Sequence, residues 1–442
     1  MPMPKLTFSG GVNPYSYKAT TKNLQITDLQ IPSRVVIPIV QNLNDEVSVT
    51  VIKDEYVSIG QKIGEIKGLN CSPVHASISG KVTDICMWNH PVISLPVLSV
   101  VIDSDFKDKK ITPKKTHWDY FRYSPEDLVK VIREAGITGL NSGFLSVYSK
   151  NALLKEIDTV LVNGCESEPS TTSENRLMIE HAYEVIEGLK IIMYIMDVHK
   201  SHIAVEDNSD EAIESLKKVV FKAPNVSIKI LKTKYPQNGQ RQLIDAVLDK
   251  TVHSGTSVTD SGIVIESISD CYAIYQAVVE AKPVTSRVVT VSGSLIEKPG
   301  NYNVRIGTLF SDLLDQCGYK KETEKKMKII LGASMTGISQ VILDVPVIRN
   351  MSGIFTMKED NVNPKTHACI RCTKCIKACP MNLMPNFISI YAESFKWDEC
   401  LKYHPEDCIE CGCCAYECIA KRPIVQQIKL AKQYKEELHV KA

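Results

Sequence analysis

Ten of the fifteen cysteines fall within fifty residues, between Cys369 and Cys418. The first run reads Cys369-Ile-Arg-Cys372-Thr-Lys-Cys375-Ile-Lys-Ala-Cys379-Pro380, with gaps of two, two and three residues before the proline. The second, Cys408-Ile-Glu-Cys411-Gly-Cys413-Cys414-Ala-Tyr-Glu-Cys418, repeats that rhythm with one extra cysteine and with Ile419 in place of the proline. Disulfide frameworks of secreted chains do not use evenly spaced triplets, and the opening MPMPKLTFSGG has no apolar stretch typical of a secretory leader. The crowding therefore points to metal ligation in a reducing, cytoplasmic setting.

Three closely spaced thiolates can wrap one face of an iron–sulfur cubane, while the fourth reaches a neighbouring one. The spacing is that of bacterial ferredoxins, and two copies predict two 4Fe-4S clusters with crossed ligation. Cys369, Cys372, Cys375 and Cys418 would hold one, and Cys408, Cys411, Cys414 and Cys379 the other. Zinc ribbons use pairs of pairs instead. Cys413 and Cys400 fit neither set and read as packed or free thiols; Ile419 relaxes a turn without removing a ligand. Residues 360–425 thus read as a helical dicluster ferredoxin-like domain carrying one electron at a time. Residues 426–442 form a charged amphipathic helix suited to docking on protein rather than lipid.

A chain of 442 residues has room for two to four domains. Short β-rich runs separated by turns fill Pro32 to Val101, and VSIGQKIGEI and VHASISGKV form two similar glycine-turned hairpins. A barrel-sandwich domain of biotinyl/lipoyl type is expected over 1–110. Lys67 lies near the carrier-lysine position of that fold, but its flanks EIKGLN lack a modification context, so it reads as a surface lysine. Over 120–283 helical segments alternate with strand-like runs such as DTVLVNG and GIVIES, predicting an α/β domain with a parallel sheet. SPED places Ser124 as a helix N-cap with Glu126 and Asp127 in the first turn. A β-grasp-like module follows over 284–350.

Lys and Arg (52) balance Asp and Glu (51), which argues against a nucleic-acid binder. The longest apolar runs, such as Leu189 to Val198, are far short of a membrane span. Cys71, Cys86, Cys271 and Cys317 sit in apolar contexts and read as core.

The segments FSGGVNPYSYKATT, VHASISGKV, VNGCESEPSTTSENRLM, YPQNGQRQLI, RVVTVSGSLIEKPGNYNVRIGT, ACIRCTKCIKACPMNLMP and CIECGCCAYECIAKRPIVQQIKLAK occur in this order from Phe8 to Lys432. Together they resemble RnfC, the peripheral subunit family of the Rnf electron-transport complex. The resemblance implies an α/β domain like the flavin subunit of respiratory complex I, which takes hydride from NADH onto FMN, and an SLBB-like β-grasp module. It also implies redox partners at the membrane, with the chain held at the inner face through them.

Carried onto this sequence, the flavin and NADH residues are Gly139, Asn141, Gly143 and Phe144 in the phosphate loop, Asn163, Glu166 and Glu168 in NGCESEP, and Gln240 in YPQNGQ. Several positions depart from the family. The loop GLNSGFLS is one residue shorter than the glycine-rich GLGGAGFPT pattern and lacks its proline. Asn238 and Gln240 replace a glycine and a glutamate, and Glu266-Ser267 stands where Asn-Val is usual, so that Glu266 could repel a phosphate. Lys150 is offset from the family's loop lysine and reads as a surface residue. Cys165 fills the place of the family's alanine, a small buried residue rather than a redox thiol.

The expected function is an electron-transfer iron–sulfur protein of RnfC type, relaying electrons between an NADH/FMN donor and a partner redox protein. The alternative is a flavin-altered or flavin-less RnfC-like paralogue that docks a soluble reductase, such as the one associated with proline reductase in amino-acid-fermenting clostridia. The altered flavin loop weighs against NADH oxidation by the chain itself. An assembly scaffold with structural clusters is a third, non-redox reading.

Overall fold

The alternation of apolar and polar residues after Pro32 folds as two small antiparallel sheets closed on one core. The computed structural model describes residues 6–40, 46–67, 72–112, 119–137, 157–320, 327–358 and 365–441. Strand β1 (Ile26–Asp28) leaves the first unit for the third. The first unit contains β2 (Arg34–Pro38), β3 (Glu46–Val49), β4 (Tyr56–Val57), β5 (Lys62–Lys67), β6 (Val74–His75), β7 (Gly80–Trp88) and β8 (Val97–Ser104). They pair in the orders β2-β8-β7-β4 and β3-β5-β6 around Val35, Ile37, Ile63, Ile78 and Ile102. Lys67 is the last residue of β5, in register with Glu46. Cys86 is half-buried rather than core: the register slips between Val82 and Asp84, leaving Ile85 packed on the core and Cys86 turned outward. Cys271 and Cys317 are fully buried, and Cys71 lies outside the described residues.

The second unit is a parallel sheet of β9 (Thr159–Gly164), β10 (Ser201–Glu206), β11 (Val226–Leu231) and β12 (Ile263–Ser267), in the order β11-β10-β9-β12. Every residue of β10 is buried because helices cover both faces, which is why its sequence does not alternate. Ser124 does cap its helix, Pro125–Glu134, by accepting from the Asp127 amide at 3.2 Å. The chain passes from β9 to β10 on one side and returns to β12 on the other. That reversal places a topological switch point at the C-terminal ends of β9 and β12, where open α/β sheets bind ligands.

The third unit is a six-stranded sheet in the order β1-β14-β13-β17-β15-β16, formed by β13 (Ser286–Gly293), β14 (Gly300–Arg305), β15 (Met327–Leu331), β16 (Ile338–Gln340) and β17 (Gly353–Lys358) with β1. The helix Phe310–Gln316 packs Phe310, Leu313 and Leu314 into the core of this sheet. The last unit is helical, and Ile388, Ala392, Ile424, Ile428 and Ala431 form its core around Cys400. Among the described residues no helix is long and apolar enough to cross a membrane.

Candidate functional site

The loop after β9 runs along the switch point, and its side chains are tied to three other segments. Asn163 donates to the Asn238 carbonyl at 2.9 Å and accepts from the Cys165 amide at 3.2 Å. Ser167 donates to the Asn238 side chain at 2.7 Å. Glu166 turns back to cap the helix Ser173–Glu180, accepting from the amides of Glu174 (3.1 Å) and Asn175 (3.2 Å). Burial raises its pKa, against the pull of Lys18 and of those amides. The Lys18 amine donates to the Glu166 carbonyl.

Glu168 points the other way, into the third unit. Its carboxylate accepts from the Met335 amide at 3.1 Å and the Thr336 hydroxyl at 2.5 Å. Burial raises its pKa too, opposed chiefly by the Thr336 hydrogen bond. The Tyr235 hydroxyl stands 3.5 Å from this carboxylate and donates at 2.7 Å to the carbonyl of Cys411. A cavity of about 510 Å³ opens here, lined by Glu168, Tyr235, Asn238, Gln240, Thr336 and Cys411 among others. Its size suits a cofactor. It brings Glu168 and Gln240 together with a cysteine of the second run.

Not every expected site residue takes part. Asn163 and Glu166 brace the loop and are not among the residues lining the cavity. Glu266 is fully buried near the end of β12, in register with Val162, and is not among the residues lining this cavity either. Gly139, Asn141, Gly143, Phe144 and Lys150 lie outside the described residues. Cys165 packs with Leu161, Ala204, Leu231 and Ile244, and burial pushes its thiol up, so it behaves as a small apolar group.

The other cysteines gather as two sets of four. Cys379, Cys408, Cys411 and Cys414 line one small cavity, together with Pro380, Leu383 and Ile428. Cys369, Cys372, Cys375 and Cys418 line another, together with Ile370, Ile419 and Ile424. Four soft thiol donors on an apolar cage fit an iron–sulfur cubane in each. Backbone amides already point at the sulfurs, from Arg371 to Cys369 (3.4 Å), Glu410 to Cys408 (3.3 Å) and Leu383 to Cys379 (3.4 Å). Cys400 and Cys413 are completely buried and lie in neither cavity lining, Cys400 facing the Ile388 carbonyl and Cys413 the Tyr235 carbonyl.

Sequence reasoning missed the residues that join these parts. Tyr235 pairs with Val12 through two backbone hydrogen bonds, and the Gly11 amide donates to the Ala378 carbonyl at 2.9 Å. Gly10, at φ +76°, lies so close to Cys379 that a Cβ would meet its carbonyl oxygen at 2.7 Å. Gln242 donates to the Pro380 carbonyl at 3.1 Å. The adjacent glycines of FSGG were the available signal of a close backbone approach.

Family models match the chain in the order of its units: the RnfC barrel sandwich hybrid domain over 6–107, the Nuo51 FMN-binding domain over 132–276 and the SLBB domain over 288–339. This succession defines an electron-transport protein built on an FMN-binding type of α/β domain. The C component of the proton-translocating ferredoxin:NAD(+) oxidoreductase complex of Clostridium ljungdahlii is 39% identical over 430 residues, covering 96% of this chain and 93% of the relative. The Na(+)-translocating counterpart of Acetobacterium woodii is 35% identical, covering 97% and 96%. The corresponding component of the ion-translocating oxidoreductase complex of Citrobacter koseri is 32% identical over 96% of this chain and 60% of its own. The chain belongs to the RnfC family.

Proposed function

We propose that this chain relays single electrons through two 4Fe-4S clusters between an NADH/FMN site on its α/β unit and a partner redox protein. The observation that carries the reading is the cavity lined together by Glu168, Gln240, Tyr235 and Cys411, which supports a cofactor bound beside one cysteine set. When bound, FMN would supply the conversion between a two-electron hydride donor and one-electron acceptors. Glu168 and Gln240 would contact the bound cofactor, while Asn163 and Glu166 fix the loop that presents them. Cys379, Cys408, Cys411 and Cys414 would hold the cluster nearer the cavity. Cys369, Cys372, Cys375 and Cys418 would hold the outer one. The relatives' names place them in ferredoxin:NAD(+) oxidoreductase complexes, which supports membrane-bound redox partners and a cytoplasmic site of action for this chain.

A second reading, a flavin-less paralogue serving a soluble reductase, is favoured by Asn238 and Gln240, family departures that both line the cavity. Anaerobic purification with iron, sulfide and flavin assays, followed by NADH addition, separates the two. About eight irons, one FMN and rapid bleaching of the cluster absorbance support the first reading. The same iron with no flavin and no response to NADH supports the second.

A further inference from the structure

We propose that the rim around Cys369, Cys372, Cys375 and Cys418 is a docking surface for a small redox protein whose own centre is ringed by carboxylates. The inference rests on the relay reading above and adds which cluster faces the partner and what charge the partner carries there.

The two cysteine sets differ in what surrounds them. The set containing Cys411 is covered: Gly10 packs on Cys379, Tyr235 closes over Cys411, and Cys379, Cys411 and Cys414 are buried. The acidic residues beside it are engaged. Glu410 pairs with Lys432 at 2.7 Å and Lys429 at 3.2 Å, Glu406 pairs with Lys435 at 2.8 Å, and Asp407 accepts from Ser254 at 2.7 Å. That side is an internal junction.

The other set opens outward. Cys372 is exposed and Cys369 and Cys418 are half-buried, while Ile370 and Ile419 on the same rim are 63% and 52% exposed. The His367 amide donates to the Ala420 carbonyl at 2.9 Å, which lays residues 365–370 beside 418–421 on one face. Lys365, Arg371, Lys374, Lys377 and Lys421 are all exposed there. Residues 365–377 and 416–421 contain a single carboxylate, Glu417. None of the ion pairs among the described residues involves these five cations. In a chain whose formal net charge is only +1, this is a local excess.

Cations around two exposed isoleucines, with a ligand sulfur at the surface between them, form a steering ring about a small apolar contact. The complementary surface is acidic. The step across it is a one-electron exchange: one cluster loses the electron that the partner's centre gains, and no bond or proton moves. Anionic lipid would satisfy the charge but accepts no electron, so a protein is the occupant that uses both features.

The test uses the full-length protein, purified anaerobically, reduced with dithionite and desalted, so that it requires neither NADH nor flavin. Stopped-flow mixing with oxidised rubredoxin, a small acidic iron protein, is compared with mixing with cytochrome c, a basic one. The rate constant for rubredoxin is expected to fall about tenfold as ionic strength rises from about 0.02 to 0.5 M, and that for cytochrome c is not. The variant K365E/K374E/K377E is expected to lose about tenfold toward rubredoxin at low salt. K218E, on the exposed face of the helix Asp210–Val220, is expected to change nothing. Iron and sulfide assays on each variant separate a lost cluster from lost docking, and the salt dependence of the unaltered protein stands if the triple variant fails to assemble. Rates indifferent to salt and to charge reversal overturn the docking surface and leave the relay intact. A protein without clusters overturns both. Co-sedimentation with phosphatidylglycerol vesicles that the reversal abolishes, with rubredoxin kinetics unmoved, assigns the rim to lipid and overturns the proposal.

Discussion

The Tyr235 hydroxyl donates a 2.7 Å hydrogen bond to the carbonyl of Cys411, joining the loop that follows β11 to a cysteine of the second run. The ring is 1% exposed, so the bond is made in a dry environment, and its loss leaves a buried carbonyl short of a donor. Y235F is expected to lower stability by about 1–3 kcal/mol. On the proposed function it also slows cluster bleaching by NADH while leaving bleaching by dithionite unchanged. Equal slowing by both reductants would mean that Tyr235 only holds the fold together.

Gly10 meets the cysteine unit more directly. Its φ of +76° and the 2.7 Å approach that a Cβ would make to the Cys379 carbonyl leave no room for a side chain. G10A is expected to destabilise the chain by about 1–3 kcal/mol and to loosen the junction between the α/β and cysteine units. Chemical denaturation measures the first effect and limited proteolysis of the cysteine unit the second. A variant as stable and as resistant as the parent contradicts this reading of the contact.

The sequence announced its local features and hid its long-range ones. The two groups of four cysteines that line separate cavities follow the rhythm of each run, which is local, and the cap at Ser124 depends on three neighbours. The partner of β1 is Asn301 to Asn303 on β14, some 275 residues away, so residues 26–28, expected in the barrel-sandwich unit, join the third sheet instead. Glu166 and Glu168 are two residues apart in one motif, yet one caps a helix and the other reaches Met335 and Thr336. Which way each turned depended on units folding against each other, and no local pattern records that.

Glu206, at the end of β10, is 2% exposed, and burial pushes its pKa from 4.5 to about 7 against the opposing charge of Lys18. Folding therefore favours the protonated carboxyl. The stability this gives is fully present below about 4.5, and it is lost as pH rises through about 7. Glu174, also pushed by burial to about 7, adds to the trend. E206Q cannot ionise, so it is expected to match the parent below about pH 4 and to exceed it at pH 8 by roughly 2–3 kcal/mol. Denaturation of both proteins across this range checks the sign. A difference that shrinks as pH rises would show that the carboxylate is held ionised.

On the proposed function, crossed ligation gives the most specific expectation for the two cysteine sets. Cys379 belongs by sequence to the first run but lines the cavity of Cys408, Cys411 and Cys414, and Cys418 belongs to the second run but lines that of Cys369, Cys372 and Cys375. C379S and C408S should therefore lose or alter the same cluster signal, and C418S and C369S the other, each with a loss of up to about four irons. Cys413 lies between two ligands in sequence yet faces the Tyr235 carbonyl, so C413S should retain the full iron content. Low-temperature electron paramagnetic resonance of the dithionite-reduced variants reads the pattern. If C379S instead groups with C369S, each run holds its own cluster, and the set of Cys408, Cys411 and Cys414 is not completed by Cys379.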